Sequence, residues 1–106
     1  MNQPGYIVAQ ITVKNYQKYI TEYGRPLAAM VRQFGGEILV ATNQAIALEG
    51  SWHGNWTVII RFPSVDAAQA CYGSPDYAPL KDNRVGSLTT DGNVVVFKGL
   101  LTGGVD

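Results

Sequence analysis

The chain has 106 residues, 46% of them hydrophobic, and its eight lysines and arginines balance eight aspartates and glutamates. That length fits one domain, residues 1–106, with a single core, and the composition excludes a disordered chain. The balanced charge offers nothing to nucleic acid or to an anionic membrane, and one cysteine excludes an internal disulfide. No segment reaches membrane-spanning length and no leader pattern is visible, so we expect a cytoplasmic protein.

The first third of the sequence predicts a strand and then a long helix. Residues Tyr6–Val13 (YIVAQITV) are β-branched and apolar and follow a Pro-Gly pair, which is typical of a strand. The helix is predicted to begin after the N-cap Asn15 and to end at Gly35–Gly36. Pro26 lies inside this helix and predicts a bend or break near Gly24. The apolar stripe of the helix keeps a spacing of three to four residues: Tyr16, Tyr19, Ile20, Tyr23, Leu27, Met30, Val31 and Phe34.

The middle of the sequence predicts two more strands. Glu37–Thr42 and Ala45–Gly50 are interpreted as one strand with a break at Asn43–Gln44. A loop over Ser51–Asn55 follows, and the next strand is predicted at Trp56–Phe62, where a proline ends it.

The last part of the sequence predicts a short helix and a final strand. Ser64 is a suitable N-cap for this helix and Gly73 a suitable end. Ser74–Pro75 repeats the start signal of a helix, and Asn93–Gly99 is predicted to be the last strand. The resulting β-α-β-β-α-β order predicts an α+β protein with the ferredoxin-like plan, in which helices cover one face of a four-stranded antiparallel sheet.

The predicted strands are apolar on both faces. The first strand alternates Ile7, Ala9, Ile11 and Val13 with Tyr6 and Val8, and the last alternates Val94 and Val96 with Val95 and Phe97. Because two helices cover only one face, the other face needs a cover from outside the chain. The sheet of a second copy is the simplest cover, so we expect a homodimer joined sheet to sheet.

The stretch Ala70–Tyr77 (ACYGSPDY) places the single cysteine three residues before a serine, which raises the question of a nucleophile. Ser74 is interpreted as a cap, because Ser-Pro after a helix-ending glycine is a start signal and no G-x-S-x-G elbow surrounds it. Cys71 falls on or beside the apolar face of its helix and is interpreted as a small buried hydrophobe.

Several of these residues, taken in order and spacing, resemble a known family. The resemblance rests on Glu49–Gly50, Trp52, Phe62–Pro63–Ser64, Ala68, Tyr72, Ser74–Pro75 and Tyr77, with Tyr19 and Tyr23 upstream and Arg84 and Gly99 downstream. The chain resembles the domain-of-unknown-function family 1330, within the dimeric α/β-barrel superfamily, over roughly Tyr6–Gly99. The resemblance implies a ferredoxin-like protomer that pairs into a dimeric α/β barrel. Relatives in that superfamily include cofactor-free oxygenases, isomerases, cyclases and haem enzymes, so the site has to identify the function.

The sequence departs from the family pattern at four positions. Arg61 stands where the family usually has an acidic residue, so a ligand inferred for the family need not transfer. Cys71 replaces a tryptophan, which should enlarge any cavity beside the second helix. Asn15 replaces the usual aspartate cap, and Tyr16 stands where a proline commonly follows.

Two residues near the middle of the chain are candidates for proton transfer. His53 is the only histidine, which excludes a histidine cluster, so we predict no metal and no cofactor. Its imidazole changes charge near neutral pH and suits a general acid or base, although a lone loop histidine is often simply solvated. Glu49 would suit proton transfer if Trp52 covered it, because desolvation favours the protonated carboxyl. The alternative is a solvated carboxylate at a strand end.

The remaining candidates would hold a ligand. Arg84 can bind a carboxylate or an enolate oxygen through its planar fork, or it can form an internal salt bridge with Asp76, Asp82 or Glu49. Aromatic side chains that could line a pocket, or simply fill the core, are Tyr19, Tyr23, Trp52, Tyr72 and Tyr77.

These residues together predict a small cofactor-independent enzyme that acts on an aromatic or unsaturated acid in a pocket between helices and sheet. The reaction would be of the isomerase, cyclase or monooxygenase type. Arg84 would hold the anionic end, the aromatic residues would hold the ring, and Glu49 or His53 would move the proton. One alternative is a homodimer that binds a small ligand without catalysis. Another is an assembly module whose whole function is sheet pairing.

Overall fold

The computed structural model describes residues 3–101 and shows a four-stranded antiparallel sheet with helices on one face. Its strands are β1 (Gly5–Val13), β2 (Glu37–Thr42), β3 (Trp56–Phe62) and β4 (Thr89–Lys98), in the spatial order β2-β3-β1-β4. This arrangement confirms the predicted ferredoxin-like plan. The last strand begins earlier than predicted and continues the chain directly from the helix before it.

The first helical region contains a π turn at the place where the sequence predicts a bend or break. It comprises α1 (Tyr16–Tyr19), a π-helical segment (Ile20–Gly24) that we name the first π turn, and α2 (Arg25–Gln33). Asn15 caps it as predicted, since its Oδ1 accepts a hydrogen bond from the Lys18 N–H at 3.0 Å. The Arg25 N–H bonds to the Ile20 carbonyl five residues back. The helix therefore widens before Pro26, which lacks an N–H, instead of breaking.

The second helical region contains a π turn as well, in this case at its end. It comprises α3 (Val65–Tyr72), α4 (Ala78–Asn83) and a second π turn (Arg84–Leu88). Ser64 caps α3 as predicted, because its Oγ accepts a hydrogen bond from the Ala67 N–H at 3.0 Å.

Ser74 closes a turn after α3 and does not cap α4, which begins later than the sequence predicts and has Tyr77 as its N-cap. The Ser74 Oγ accepts a hydrogen bond from the Tyr77 N–H at 3.3 Å and donates one to the Cys71 carbonyl at 2.9 Å. These bonds close a turn, and the helix begins only at Ala78. Pro79 then lies in the first turn of α4, where its missing N–H leaves no bond unmade.

Residues 43–55 form a loop between β2 and β3, so the predicted strand at Ala45–Gly50 is wrong. β2 ends at Thr42, which pairs with Thr57, and β3 extends only one residue past that pair, to Trp56. A continuation of β2 would have no neighbouring strand to accept its hydrogen bonds, so the chain leaves the sheet.

The loop returns to the sheet at a fixed point beside the end of β1. The Val13 N–H donates to the Asn55 Oδ1 at 2.7 Å, and the Asn55 Nδ2 donates to the Val13 carbonyl at 3.1 Å. Gly54 has a φ of +83°, and a Cβ on it would lie 2.5 Å from the Ile11 carbonyl oxygen. Only glycine fits this approach of the loop to β1.

Alternation along the strands gives the sheet two different faces. The face toward the helices is buried and supplies Ile7, Ala9, Ile11, Val13, Val58, Ile60 and Phe62 to the core. The opposite face, which we name the open face, carries Tyr6, Val8, Val40, Ile59, Val95 and Phe97 as cross-strand neighbours. Val95 is 46% and Phe97 52% exposed, so a single chain leaves this apolar face in contact with water.

Candidate functional site

Four tyrosines gather on the helical side of the sheet and form the group that we name the tyrosine cluster: Tyr19, Tyr23, Tyr72 and Tyr77. Tyr19 and Tyr23 come from the first helical region, with ring centroids 5.2 Å apart. Tyr77 lies 6.3 Å from Tyr23 and 5.2 Å from Tyr72, which ends α3. Tilted and edge-to-face contacts at these distances are favourable, so the two helical regions meet through a row of aromatic rings.

Arg84 joins this cluster as a buried cation without a counter-ion. It is only 5% exposed, and its guanidinium carbon lies 5.7 Å from the centroid of the Tyr23 ring. Its Nε has no hydrogen-bond partner within residues 3–101. The ion pairs found there are His53–Asp91 and Arg61–Glu37, so the alternative of an internal salt bridge for Arg84 is wrong for this part of the chain. A buried charge that lacks a partner is unfavourable unless something else neutralises it.

The surroundings in the cluster raise the pKa of both Arg84 and Tyr23. Burial by itself lowers the pKa of Arg84, but Tyr23 and Tyr77 raise it, and the net shift is upward. Burial also raises the pKa of Tyr23 well above its usual range, with Tyr77 adding to the shift and Arg84 opposing it. Tyr23 therefore remains a hydrogen-bond donor at neutral pH.

Tyr23 and Tyr77 share one short hydrogen bond inside the cluster. Their hydroxyl oxygens lie 2.6 Å apart, and both residues are 4% exposed. Each phenol carries one O–H donor, so a single shared bond uses only one of the two. The second O–H has no acceptor among the hydrogen bonds of residues 3–101. Together with the Arg84 Nε, the cluster thus holds two buried donors that an acceptor from outside the chain could satisfy.

The two π turns hold two members of this cluster, Tyr23 and Arg84. Tyr23 lies in the first π turn, and Arg84 is the first residue of the second. The Arg84 carbonyl accepts the Thr89 N–H five residues on, and the Thr89 Oγ1 bonds to the same carbonyl at 2.9 Å. Single π turns are uncommon and occur frequently at functional sites.

The space beside the cluster consists of a small cavity and a larger groove. The cavity has a volume of about 40 Å³ and is lined by Tyr19, Tyr23, Cys71, Tyr72, Tyr77 and apolar side chains of the sheet. A groove of about 400 Å³ opens beside it, between α3 and strands β1 and β4. Binding pockets for small molecules have volumes of roughly 300–1,000 Å³, so the groove has the right size and the small cavity does not.

Cys71 lines the cavity as a protonated thiol. It is 3% exposed, and burial raises its pKa. A thiol that is harder to ionise is a poor nucleophile, so its environment agrees with the interpretation as a buried hydrophobe.

The structure separates Glu49, Trp52 and His53 from the tyrosine cluster. The Trp52 Nε1 donates to the Thr57 Oγ1 at 2.8 Å, which places the loop on the open face, whereas the cluster lies under the helices. Glu49 is exposed and lacks the desolvated setting that its predicted role requires. The His53 Nε2 lies 3.1 Å from the Asp91 Oδ1 in an exposed pair. The roles predicted for Glu49, Trp52 and His53 stay predictions, and their placement does not favour them.

Lys81 is a residue near the cluster that the sequence did not identify. Its Nζ lies 5.0 Å from the centroid of the Tyr72 ring, three residues before Arg84 in the chain. The sequence signal was the spacing of three residues between Lys81 and Arg84 in one helical region, since residues at this spacing share a helix face. Within residues 3–101 no group of three His, Cys, Asp or Glu side chains is placed to hold a metal, and none of the helices there is long and apolar enough to cross a bilayer.

The antiparallel sheet in the order β2-β3-β1-β4, with helices on one face, defines a ferredoxin-like fold with an arginine–tyrosine site under its helices. The chain belongs to the family described as Domain of unknown function (DUF1330), whose model matches residues 4–100. Among proteins of curated function, none matches this sequence.

Solved structures with the same fold come from several bacteria. A protein of unknown function from Rhodopseudomonas palustris has a TM-score of 0.72 at 18% identity, covering 95% of this chain and 85% of that chain. A candidate antibiotic biosynthesis monooxygenase from Caulobacter crescentus CB15 has a TM-score of 0.61 at 16% identity, with coverages of 94% and 92%. A dabb family protein with a ferredoxin-like fold from Mesorhizobium loti has a TM-score of 0.54 at 13% identity, with coverages of 93% and 99%. At these identities the likeness shows the fold and not the activity.

Proposed function

We propose that this protein binds a small aromatic or unsaturated carboxylic acid on the helical side of its sheet, with Arg84 holding the carboxylate. The observation that carries the proposal is the burial of Arg84 without a carboxylate partner in residues 3–101. A carboxylate can accept two parallel hydrogen bonds from a guanidinium, and it would supply both the missing charge and the missing acceptor for Nε. The surrounding rings suit a flat apolar body on the same ligand.

Arg61 is the rival arginine and also the matched control. It lies on the open face, where its Nη1 is 3.9 Å from the Glu37 Oε1, and its side chain is 41% exposed. Arg61 therefore has both water and a nearby carboxylate, whereas Arg84 is buried and has no carboxylate partner in residues 3–101.

The test compares cinnamate with its neutral analogue cinnamamide by isothermal titration calorimetry. Arg84→Met should weaken cinnamate binding by about 10- to 150-fold, equivalent to about 1.5–3 kcal/mol, which is the range for charge-assisted hydrogen bonds. It should leave the affinity for cinnamamide unchanged and should not lower the melting temperature. Arg61→Met should change neither affinity. If Arg84→Met bound cinnamate as tightly as the unaltered protein did, the carboxylate site would not be at Arg84.

Cofactor-independent catalysis is the second candidate function, and the Tyr23–Tyr77 pair favours it. An O–H donor that has no acceptor can hydrogen-bond to an oxygen on which negative charge develops during enolisation. An isomerisation of this kind needs a carbonyl near the carboxylate, as in an aromatic 2-oxo acid. We therefore propose phenylpyruvate as the first substrate to try, with loss of its enol absorbance as the assay. Tyr23→Phe and Tyr77→Phe should slow the reaction and preserve cinnamate binding, whereas no rate above the uncatalysed one would leave the protein a binder.

Self-association through the open face is a further part of the proposal, because this face is apolar and exposed. Light scattering should give a mass of about twice the 11.5 kDa of one chain. Phe97→Lys should convert the dimer to a monomer, since it places a charge on the exposed apolar part of the open face. Val85→Lys is the control, because Val85 is 58% exposed but belongs to the second π turn and lies off the open face. An unaltered protein that measured as a monomer would contradict the dimer.

A further inference from the structure

The groove and the cavity beside the tyrosine cluster are neighbours that share one movable residue. Both are lined by Ile7, Tyr72 and Val94. Ile7 and Val94 pair side by side with the rest of β1 and β4 and have short, stiff side chains. Tyr72 is half-buried, ends α3 and is followed by Gly73. Its hydroxyl makes no hydrogen bond with any residue from 3 to 101, so contacts of the ring with Tyr77 and with the Lys81 ammonium hold it in place.

We propose that Tyr72 is a movable wall between groove and cavity, and that a flat aromatic acid binds in the space that opens when this ring moves. The inference rests on the proposed function, since it takes Arg84 as the carboxylate site. The volume of the cavity requires the ring to move before a ligand can enter it from the groove. An apolar cavity that accepts benzene measures about 150 Å³, several times the 40 Å³ present here. Joining it to the 400 Å³ groove gives a site of ordinary size for a small molecule.

The charges around the wall favour an anion as the occupant. Lys81 covers the Tyr72 ring from the outside, and Arg84 lies at the inner end of the row that runs Tyr72–Tyr77–Tyr23. Neither cation is in an ion pair with a residue from 3 to 101. Neither cation lines the groove or the cavity itself, so an aromatic acid that enters past Tyr72 would meet both positive charges across the neighbouring rings. A neutral apolar molecule would gain from the rings alone.

Because the Tyr72 ring has to move before a ligand binds, the measured ligand affinity is lower than that of the open arrangement. A substitution that removes the ring should restore the higher affinity. In the structure its ring packs 5.2 Å from Tyr77, so the open arrangement is the minor one. A ligand that binds only the open arrangement has an apparent affinity reduced by the fraction of molecules that are open. Removal of the ring makes every molecule open and abolishes this reduction. The gain should be largest for ligands that are too large for the closed arrangement.

The experiment measures the dissociation constants of benzoate, 2-naphthoate and the neutral 2-naphthamide for the full chain and for variants of Tyr72. Tyr72→Ala should tighten 2-naphthoate by roughly fivefold or more, with a smaller gain for benzoate, because the larger ring needs the joined space. Tyr72→Phe keeps the wall and removes only an unbonded hydroxyl, so both acids should bind within about twofold of the unaltered protein. Tyr72→Leu should give dissociation constants between those of Tyr72→Ala and Tyr72→Phe, and it replaces Tyr72→Ala in the test if that variant does not fold. Circular dichroism at 222 nm checks that each variant is folded.

Each other outcome has a distinct meaning. Equal weakening of both acids by Tyr72→Ala would show that Tyr72 is a fixed contact surface and would overturn the inference. A lack of saturable binding of all three probes to every variant would overturn it as well, because the groove would then hold no aromatic ligand. Equal affinity for 2-naphthamide and 2-naphthoate, with the effect of Tyr72→Ala retained, would preserve the movable wall. That result would refute the carboxylate role of Arg84, so the two proposals can fail separately.

Discussion

The hydrogen bond between Tyr23 and Tyr77 offers the sharpest energetic prediction. Both hydroxyls are buried and 2.6 Å apart, so either single change to phenylalanine leaves a buried hydroxyl without its partner. An unsatisfied buried group destabilises by about 1–3 kcal/mol, so each single variant should lose roughly 1–2 kcal/mol of unfolding free energy. In the double variant both polar groups are gone and two phenyl rings pack together. Its loss should be no greater than that of either single variant.

The two losses should therefore be strongly non-additive. Additive effects of the two single variants would give the double variant a loss of about 2–4 kcal/mol of unfolding free energy. The double variant should instead lose about 1–2 kcal/mol, which corresponds to a coupling energy of about 1–2 kcal/mol between the two hydroxyls. Urea unfolding followed by circular dichroism gives the four free energies. In melting temperature, 1 kcal/mol corresponds to about 4–8 °C for a domain of 60–100 residues.

Tyr16 supplies the control for this cycle. It is half-buried and its hydroxyl donates to the Asn55 carbonyl at 3.0 Å, away from the Tyr23–Tyr77 bond. Tyr16→Phe combined with Tyr23→Phe should show additive losses. Additive losses in the Tyr23–Tyr77 cycle as well would refute the reasoning, because they would mean that the two hydroxyls do not depend on each other.

Three further outcomes are expected. Burial raises the pKa of Tyr23 and Tyr19, whereas an unfolded tyrosine titrates near pH 10. Unfolding therefore releases protons from these two residues above about pH 10, and the melting temperature should fall there. Gly54→Ala should lose more unfolding free energy than Gly50→Ala: both have positive φ, +83° and +73°, but only at position 54 does the new Cβ meet backbone, and strain alone costs about 1–3 kcal/mol. Cys71→Ala should lose on the order of 1 kcal/mol in urea unfolding and keep cinnamate affinity, and a folded variant that no longer binds would make the thiol functional.

Much of the fold follows from local signals in the sequence. The caps at Asn15 and Ser64, the helix-ending glycines and the alternation of the strands each act over a few residues, and the structure keeps them. The prediction of a strand at Ala45–Gly50 was wrong because a strand needs a neighbouring strand to form its hydrogen bonds. Its local pattern is suitable, but β3 is too short to pair with it. Whether a neighbour exists depends on the register of a distant segment, which local patterns do not contain.

The candidate site was predictable in its parts and not in its assembly. Arg84 and the four tyrosines were identified as ligand-binding candidates by residue type and by the family resemblance, and the structure brings them together. The two π turns could not be foreseen, since Pro26 indicates only that the helix changes near Gly24. The separation of Glu49 from Arg84 depends on which face of the sheet the loop crosses, and that is a property of tertiary packing.

The lone guanidinium of Arg84 has a consequence for how the protein can change over generations. A buried charge with no counter-ion in residues 3–101 makes the empty protein less stable than an apolar side chain of similar size would. A random library selected only for survival at high temperature should therefore lose this arginine early, in favour of methionine or leucine. Sites that a protein retains against its own stability are the ones on which activity depends. The most heat-resistant descendant of this chain should then be one that has lost the carboxylate binding proposed for Arg84.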